Sequence, residues 1–183
     1  MPQANPPMFT NVLKIGDLEN VGSGMGIKKG GASGPKNNPV MAGDWHFQSR
    51  TNGLRLHYGT FHALEDMTFS FELPPGLSLT MVFDGSLQFA LSSHVYEMGK
   101  KFKPAECCGF AIDRPEVITR QLQKNDFVKK VNVFAEKDWL LACCQSRTEI
   151  KQLERVFHQH AQPKIWRPSS TILQTAGNIA QYG

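Results

Sequence analysis

The chain has 183 residues, of which 40% are hydrophobic and 20% are charged, and its formal net charge is +4. This length suits one domain with a substantial core, and the small charge excess does not by itself indicate a nucleic-acid surface. No window approaches 18 consecutive apolar residues, which excludes a membrane-spanning helix. The 12 phenylalanines predict a large apolar interior or an apolar cavity.

The four cysteines form two adjacent pairs, Cys107-Cys108 and Cys143-Cys144, without C-x-x-C spacing. Adjacent residues of a strand point to opposite faces, so one pair cannot supply a four-ligand zinc site. The N-terminus lacks the basic stretch followed by an apolar run that marks a secretory signal. We therefore expect a cytoplasmic protein with reduced thiols, each of them a small buried hydrophobe.

Residues 1–44 are rich in glycine and proline and predict a flexible N-terminal arm. We compared these glycines with two phosphate-binding loops. Gly22 and Gly24 fit the start of G-x-G-x-x-G, but Ile27 stands at the third glycine position. The sequence Ile27-Lys28-Lys29-Gly30 also lacks the Gly-Lys-Ser/Thr of a Walker loop. Neither loop is therefore predicted.

Residues 45–145 show the period-two alternation of strands that have one apolar face. The clearest predicted strands are Met67–Leu73, Leu77–Phe83, Leu87–Leu91, His94–Met98, Cys107–Ile112, Val117–Leu122 and Phe127–Phe134. Asp84-Gly85 predicts a hairpin, because this dipeptide tolerates positive φ. Short strands with a spacing of about 8–12 residues and no helices between them predict an antiparallel sandwich or barrel.

From residue 146 the apolar period becomes helical. Ser146 and Glu149 match a capping box, and Pro163 ends the helix that follows. A second helix begins near Pro168. Because a short link favours antiparallel neighbours, we predict a helical hairpin over residues 146–183. The apolar face of its first helix consists of Ile150, Leu153, Phe157 and Ala161.

The histidines do not form a recognisable metal site. A metal inside a small barrel needs two or three inward histidines and a carboxylate, supplied by an H-x-H pattern on a strand. His158 and His160 have this spacing but lie on a predicted helix, where their side chains point about 200° apart. No G-x-S-x-G elbow occurs either. We expect no catalytic residues, metal or cofactor, with a metal-dependent enzyme of atypical site as the alternative.

The aromatic side chains of the strands form either a plain core or the lining of a pocket for a bulky, partly apolar ligand. A few polar groups would then orient the ligand, and His57 and Trp45 are candidates for this role. The residues that we predict to bind the ligand are Phe69, Phe71, Met81, Phe83, Phe89, Phe110, His62 and Arg120.

Two segments resemble a known family. The stretch FSFELPPGLSLTMVFDGSLQF, from Phe69 to Phe89, resembles the N-terminal domain of AraC-family transcription regulators. It is most similar to the branch that includes siderophore-responsive activators such as the pyochelin regulator. The segment QPKIWRPS at 162–169, followed by a helix, also resembles the region that precedes the DNA-binding domain in that branch. The resemblance covers roughly residues 50–183.

This resemblance implies a mainly β fold. A cupin-like antiparallel β-barrel, or double-stranded β-helix, would occupy residues 45–145, and a two-helix hairpin would follow it. The barrel would bind a small effector, such as a siderophore or another partly apolar compound, and the domain would form a homodimer. The expected dimer interface consists of Ile150, Leu153, Phe157 and Ala161, with packing of these residues on their own barrel as the alternative.

The implied mechanism is thermodynamic linkage between effector binding and the arrangement of the regulator's domains. An effector that prefers one arrangement of the bacterial regulator shifts its population and so repositions the DNA-binding domains. In the family, a C-terminal domain with two helix-turn-helix units binds the promoter, and residues 146–183 do not contain such a domain. We therefore expect this chain alone not to bind DNA specifically. A dimerisation module with a filled barrel is a further alternative.

Overall fold

A computed structural model of the chain describes residues 9–18, 30–32, 34–49, 53–100 and 103–182. Within these ranges the fold is mainly β, and the strands are β1 (Phe9–Lys14), β2 (Gly30–Ala32), β3 (Pro39–Ser49), β4 (Leu54–Ala63), β5 (Met67–Leu73), β6 (Gly76–Gly85), β7 (Leu87–Leu91), β8 (His94–Met98), β9 (Glu106–Ile112), β10 (Glu116–Leu122), β11 (Phe127–Glu136) and β12 (Lys164–Trp166). Residues 15–18 are helical, and the longer helices are α1 (Lys137–Cys143), α2 (Arg147–Phe157) and α3 (Ser170–Tyr182).

The strands form two antiparallel sheets. One sheet runs β1-β3-β4-β11-β6-β9-β12, and the other runs β2-β5-β10-β7-β8. Pairing is nested: β4 with β11, β5 with β10, β6 with β9 and β7 with β8. Successive strands from β4 to β7 therefore alternate between the sheets, as in a jelly roll. In the described ranges no hydrogen-bonded strand pair joins the two sheets, so a two-sheet sandwich replaces the expected closed barrel.

The predicted strands are confirmed within two residues at their ends, but one predicted turn has a different role. Gly85 has the expected positive φ of 80°, and a side chain there would overlap the carbonyl oxygen of Phe127. However, β6 and β7 belong to different sheets, so Asp84-Gly85 is not a hairpin. This turn carries the chain from one layer of the sandwich to the other.

Strands also occur in the segment expected to be a flexible arm. The first strand, β1, pairs with β3, which already begins at Pro39, and β2 pairs with β5 at the edge of the five-stranded sheet. Sheet structure therefore begins before residue 45. Gly22 and Gly24, which were compared with phosphate-binding loops above, lie outside the described residues.

The main core lies between the two sheets, on the side of each sheet that we call its inner face. Every second residue of a strand contributes to it, and each fully buried large apolar side chain adds about 1.5–3 kcal/mol of stability. Its most deeply buried members include Met41, Phe61, Leu87, Phe89, Leu91, Met98, Ile112, Ile118 and Val128.

A second apolar cluster lies on the outer face of the seven-stranded sheet, beneath α3. It contains Met81, Cys107 and Ala176, with Phe83 and Leu173 packed against it. Consequently β6 is buried on both sides near Met81, whereas Leu79 is exposed. Its inner face carries Val82, Thr80 and Ser78, and Met81 and Phe83 lie on the outer face.

The C-terminal segment is not a helical hairpin. Ser146 caps α2 as predicted, since its Oγ accepts a hydrogen bond from the Glu149 amide at 3.2 Å. After α2, however, the strand β12 pairs with β9 before α3 begins, and α1 was not predicted at all. Ala161 lies beyond α2 with φ of 53°. No described helix is long and apolar enough to cross a membrane.

Candidate ligand-binding interior

One row of inner-face residues brings a lysine against aromatic rings. Lys130 on β11 lies opposite Gly59 on β4, which in turn lies opposite Trp45 on β3. Because Gly59 has no side chain, the lysine extends over this position. Its Nζ lies 5.8 Å from the ring centre of Trp45 and 5.8 Å from that of Phe61. Both contacts have cation–π geometry, and only 7% of Lys130 is exposed.

An arginine reaches the same interior from the facing sheet. Arg120 on β10 lies between Phe69 of β5 and Phe89 of β7 in register, and its guanidinium carbon lies 4.9 Å from the centre of the Phe89 ring. The Nη1 atom of Arg120 is buried and has no hydrogen-bond partner among the described residues, and the same holds for Nε1 of Trp45. Buried donors are nearly always paired, so two unpaired donors in one interior are unusual.

His57 completes this group of polar side chains. Its buried ring stacks on Trp45 at 4.6 Å and on Phe47 at 4.4 Å, measured between ring centres. In the next strand Asn132 lies opposite His57 and donates hydrogen bonds to the hydroxyl oxygens of Thr80 and Ser78. We call Trp45, His57, Arg120 and Lys130 the interior cluster.

Burial makes positive charge unfavourable throughout the interior cluster. It holds the pKa of Lys130 well below its usual value, and the charge of Arg120 lowers it further. The pKa of His57 is also held well below its usual value, first by burial and then by the charges of Lys130 and Arg120. Burial lowers the pKa of Arg120 to about 10 and raises that of the Cys108 thiol to about 11.

No acidic side chain of the described chain forms an ion pair with Arg120 or Lys130. Three glutamates share the inner faces by strand alternation, but each lies at a strand end and has another partner: Glu106, Glu116 and Glu136. They bind the Gly99 amide, the His160 ring and the Arg55 guanidinium, respectively. Within the described ranges, the positive charge of Arg120 in the interior cluster therefore has no compensating carboxylate.

The structure separates the residues predicted to bind a ligand into three groups. Most belong to the main core or pack against it: Phe69, Phe71, Phe89, Phe110 and Arg120. Met81 and Phe83 lie instead in the outer cluster beneath α3. His62 is exposed, and its ring centre lies 4.8 Å from that of Phe127. The first group therefore lies in or against the main core, and the other two groups lie outside it.

Sequence reasoning missed Lys130 and expected an apolar interior with few ionisable groups. The only local signal is that Lys130 shares strand parity with Val128 and Phe134 of β11, both buried in the main core. Val131 has the opposite parity and is also buried, because α3 covers the outer face. Local alternation therefore did not show which side was inner.

The predicted dimer residues also divide. Phe157 is 1% exposed and Ala161 is 5% exposed, and contacts within one chain are sufficient to bury both. The Nζ of Lys137 lies 5.0 Å from the ring centre of Phe157. Ile150 and Leu153, on α2, remain partly exposed. Packing on the chain's own sheets, the alternative considered above, therefore describes Phe157 and Ala161.

Two further features of the described residues bear on function. No three His, Cys, Asp or Glu side chains among them are grouped closely enough to hold a metal ion. A shallow surface recess of about 290 Å³ includes none of the predicted ligand-binding residues in its lining, which consists of Asp66, Met67, Thr68, Gln88, Gln121, Leu122 and Gln123.

Comparison with known proteins gives one family match. Residues 42–182 match the family described as the regulatory protein PchR N-terminal domain. No curated protein sequence matches the chain.

Among solved structures, the AraC-like transcriptional activator CuxR has a TM-score of 0.49 at 12% identity, over 97% of this chain and 63% of that one. This chain thus spans less than two thirds of that activator's length. A cupin-2 domain from Rhodospirillum rubrum has a TM-score of 0.36 at 9% identity, covering 86% and 87% of the two chains. Ectoine synthase from P. lautus has a TM-score of 0.34 at 12% identity, covering 72% and 80%.

Proposed function

Since this chain belongs to the family of regulatory protein PchR N-terminal domains, it is a regulatory domain of an AraC-type regulator, and we propose that its effector binds between the two sheets. The observation that carries this proposal is the interior cluster, where buried donors of Arg120 and Trp45 lack partners in the part of the chain that the structure describes. A bound molecule would supply those partners, as polar groups in a mostly apolar binding site commonly do. Phe69, Phe71, Phe89 and Phe110 would contribute the apolar contacts.

The nested strand order supports a cupin-like, double-stranded β-helix as the architecture of this site, left open between its sheets. We propose a sensor and not an enzyme, acting in the cytoplasm. Binding would select one arrangement of the domain, and a C-terminal helix-turn-helix domain outside this chain would transmit the change to promoter DNA.

A thermal-denaturation screen tests this function. The panel contains ferric siderophores, sugars, fatty acids and aromatic acids. A compound at about 100 times its dissociation constant adds about 2.7 kcal/mol to the free energy of unfolding. We expect Phe110→Leu to reduce this stabilisation and Phe83→Leu, in the outer cluster, to leave it unchanged. A panel without any stabilising compound would favour a dimerisation module with a filled interior.

We propose homodimerisation through the part of α2 that its own chain leaves exposed. Phe157 fixes the end of the helix to the sandwich, so the contact would use Ile150 and Leu153. An isologous contact would bury both residues against their symmetry mates. Leu153→Asp should convert a dimer to a monomer in sedimentation experiments, whereas Gln152→Asp, at an exposed position on the same helix, should not. A wild-type chain that sediments as a monomer would contradict this proposal.

A further inference from the structure

The interior cluster holds two basic groups, Lys130 and Arg120, in a position that apolar side chains ordinarily occupy. Lys130 and Arg120 come from facing sheets, and each lies against aromatic rings. A buried charge is costly unless it is paired, and apolar residues of similar size would fill the same space at less cost. Among the described residues no carboxylate pairs with either group, which favours a partner supplied by a bound molecule.

We propose that the effector carries a carboxylate or a related oxyanion, and that this group binds between Arg120 and Lys130. This proposal rests on the proposed function. The guanidinium offers its unpaired Nη1 donor. The buried Lys130 amine offers a further donor, and a neighbouring anion would favour its protonated form. Trp45 adds a third donor through Nε1. Hydrogen bonds between ionised partners are shorter and stronger than neutral ones, so an anion gains more here than a neutral ligand does.

The walls around these donors define the rest of the ligand. The rings of Phe61 and Trp45 lie beside the Lys130 amine, and the ring of Phe89 lies beside the Arg120 guanidinium. Flat aromatic surfaces favour stacking with another planar group. The ligand class is therefore an aromatic or conjugated acid, with its acidic group inward between the two cations.

The inner-face acids do not provide an internal alternative. Glu106, Glu116 and Glu136 are engaged at the strand ends by Gly99, His160 and Arg55. Releasing any of them to neutralise Lys130 or Arg120 would leave its present partner unpaired. A cationic effector would be repelled by the Arg120 guanidinium, which disfavours that class of ligand.

Two matched probes test the proposal on the full chain. Naphthalene-2-carboxylate and naphthalene-2-carboxamide have the same ring system, but only the first is an anion at neutral pH. We expect calorimetry to show that the wild-type chain binds the carboxylate at least about tenfold more tightly than the amide. Arg120→Met and Lys130→Met should each abolish this preference. Lys129→Met is the control, because Lys129 is the exposed neighbour of Lys130 on β11.

Thermal melting of each variant establishes that it is folded before its binding is measured. Equal affinities for the two probes, no binding of the carboxylate, or a preference that survives in either methionine variant would each overturn the anion assignment. Equal affinities would leave the interior as a neutral effector site and so leave the proposed function in place. The proposed function itself fails if no compound of the broader thermal panel stabilises the chain.

Discussion

The ammonium group of Lys130 lies 5.8 Å from the centre of the Trp45 ring, across a strand in which the intervening residue is Gly59. The lysine is buried and lacks an acidic partner in the described chain. Burial of an amine without an acidic partner costs stability, and the proposed ligand contact would account for its retention.

We predict that Lys130→Met stabilises the protein. Methionine fills a similar volume and removes the unpaired amine, so the free energy of unfolding at pH 7 should rise by about 1–4 kcal/mol. Urea denaturation measures this change. Lys129→Met, at an exposed site, should change it by less than about 0.5 kcal/mol. A destabilised Lys130→Met variant would show that the amine has a favourable role in the unliganded fold.

We predict that His57 makes the protein less stable in mild acid. Its folded pKa is held well below the unfolded value near 6.5, so the unfolded chain binds a proton that the folded chain excludes. The penalty is absent above about pH 6.5 and grows as the pH falls below this value, with a slope of at most about 1.4 kcal/mol per pH unit.

The matched variant is His57→Phe, which keeps a ring between Trp45 and Phe47. Its free energy of unfolding, measured by urea denaturation from pH 7.5 to 5, should fall less steeply than that of the wild type. Parallel profiles for the two proteins would contradict the assignment, since all other titrating groups are common to both.

We predict opposite effects for alanine at two glycines. At Gly59, φ is 153° and a Cβ atom would overlap the carbonyl oxygen of Asp44, so Gly59→Ala should destabilise the protein by at least about 2 kcal/mol. Gly177, on α3, has open space around the Cβ position. Gly177→Ala should stabilise the helix by about 0.5–1 kcal/mol. Denaturation midpoints that move in the same direction would contradict this prediction.

We predict that α3 contributes to stability through one face. Leu173 packs against the outer cluster, whereas Ile172 is 41% exposed. Leu173→Ala should lower the free energy of unfolding by about 1–3 kcal/mol, and Ile172→Ala by less than about 0.5 kcal/mol. If the two variants lose equal stability by chemical denaturation, the helix does not cover the sheet as described.

We predict that the thiols differ strongly in reactivity. Cys107 and Cys108 are buried, and burial raises the pKa of both, to about 11 for Cys108. Cys143 is exposed at the end of α1. Alkylation of the native protein followed by peptide mass spectrometry should modify Cys143 first, and Cys107 and Cys108 only after denaturation. Early modification of Cys108 would show that the interior opens readily.

The strands and one helix start could be predicted because their signals are local. Alternation from Met67 to Leu73 predicted β5 within its observed bounds, and Ser146 caps α2 as expected. The turn residue Gly85 likewise has the positive φ that its chemistry allows. Each of these features depends on neighbours within a few residues, which a single sequence displays directly.

What only the tertiary structure decided is which strands pair and which side of each strand faces the other sheet. Asp84-Gly85 looked like a hairpin, but β6 pairs with β9 and β11, strands far along the chain. Met81 and Lys130 lie on strands whose successive side chains point to opposite faces. The methionine nevertheless lies on the outer face beneath α3, and the lysine lies on the inner face. A period of two assigns residues to two faces without saying which is inner, because that choice depends on packing between distant segments.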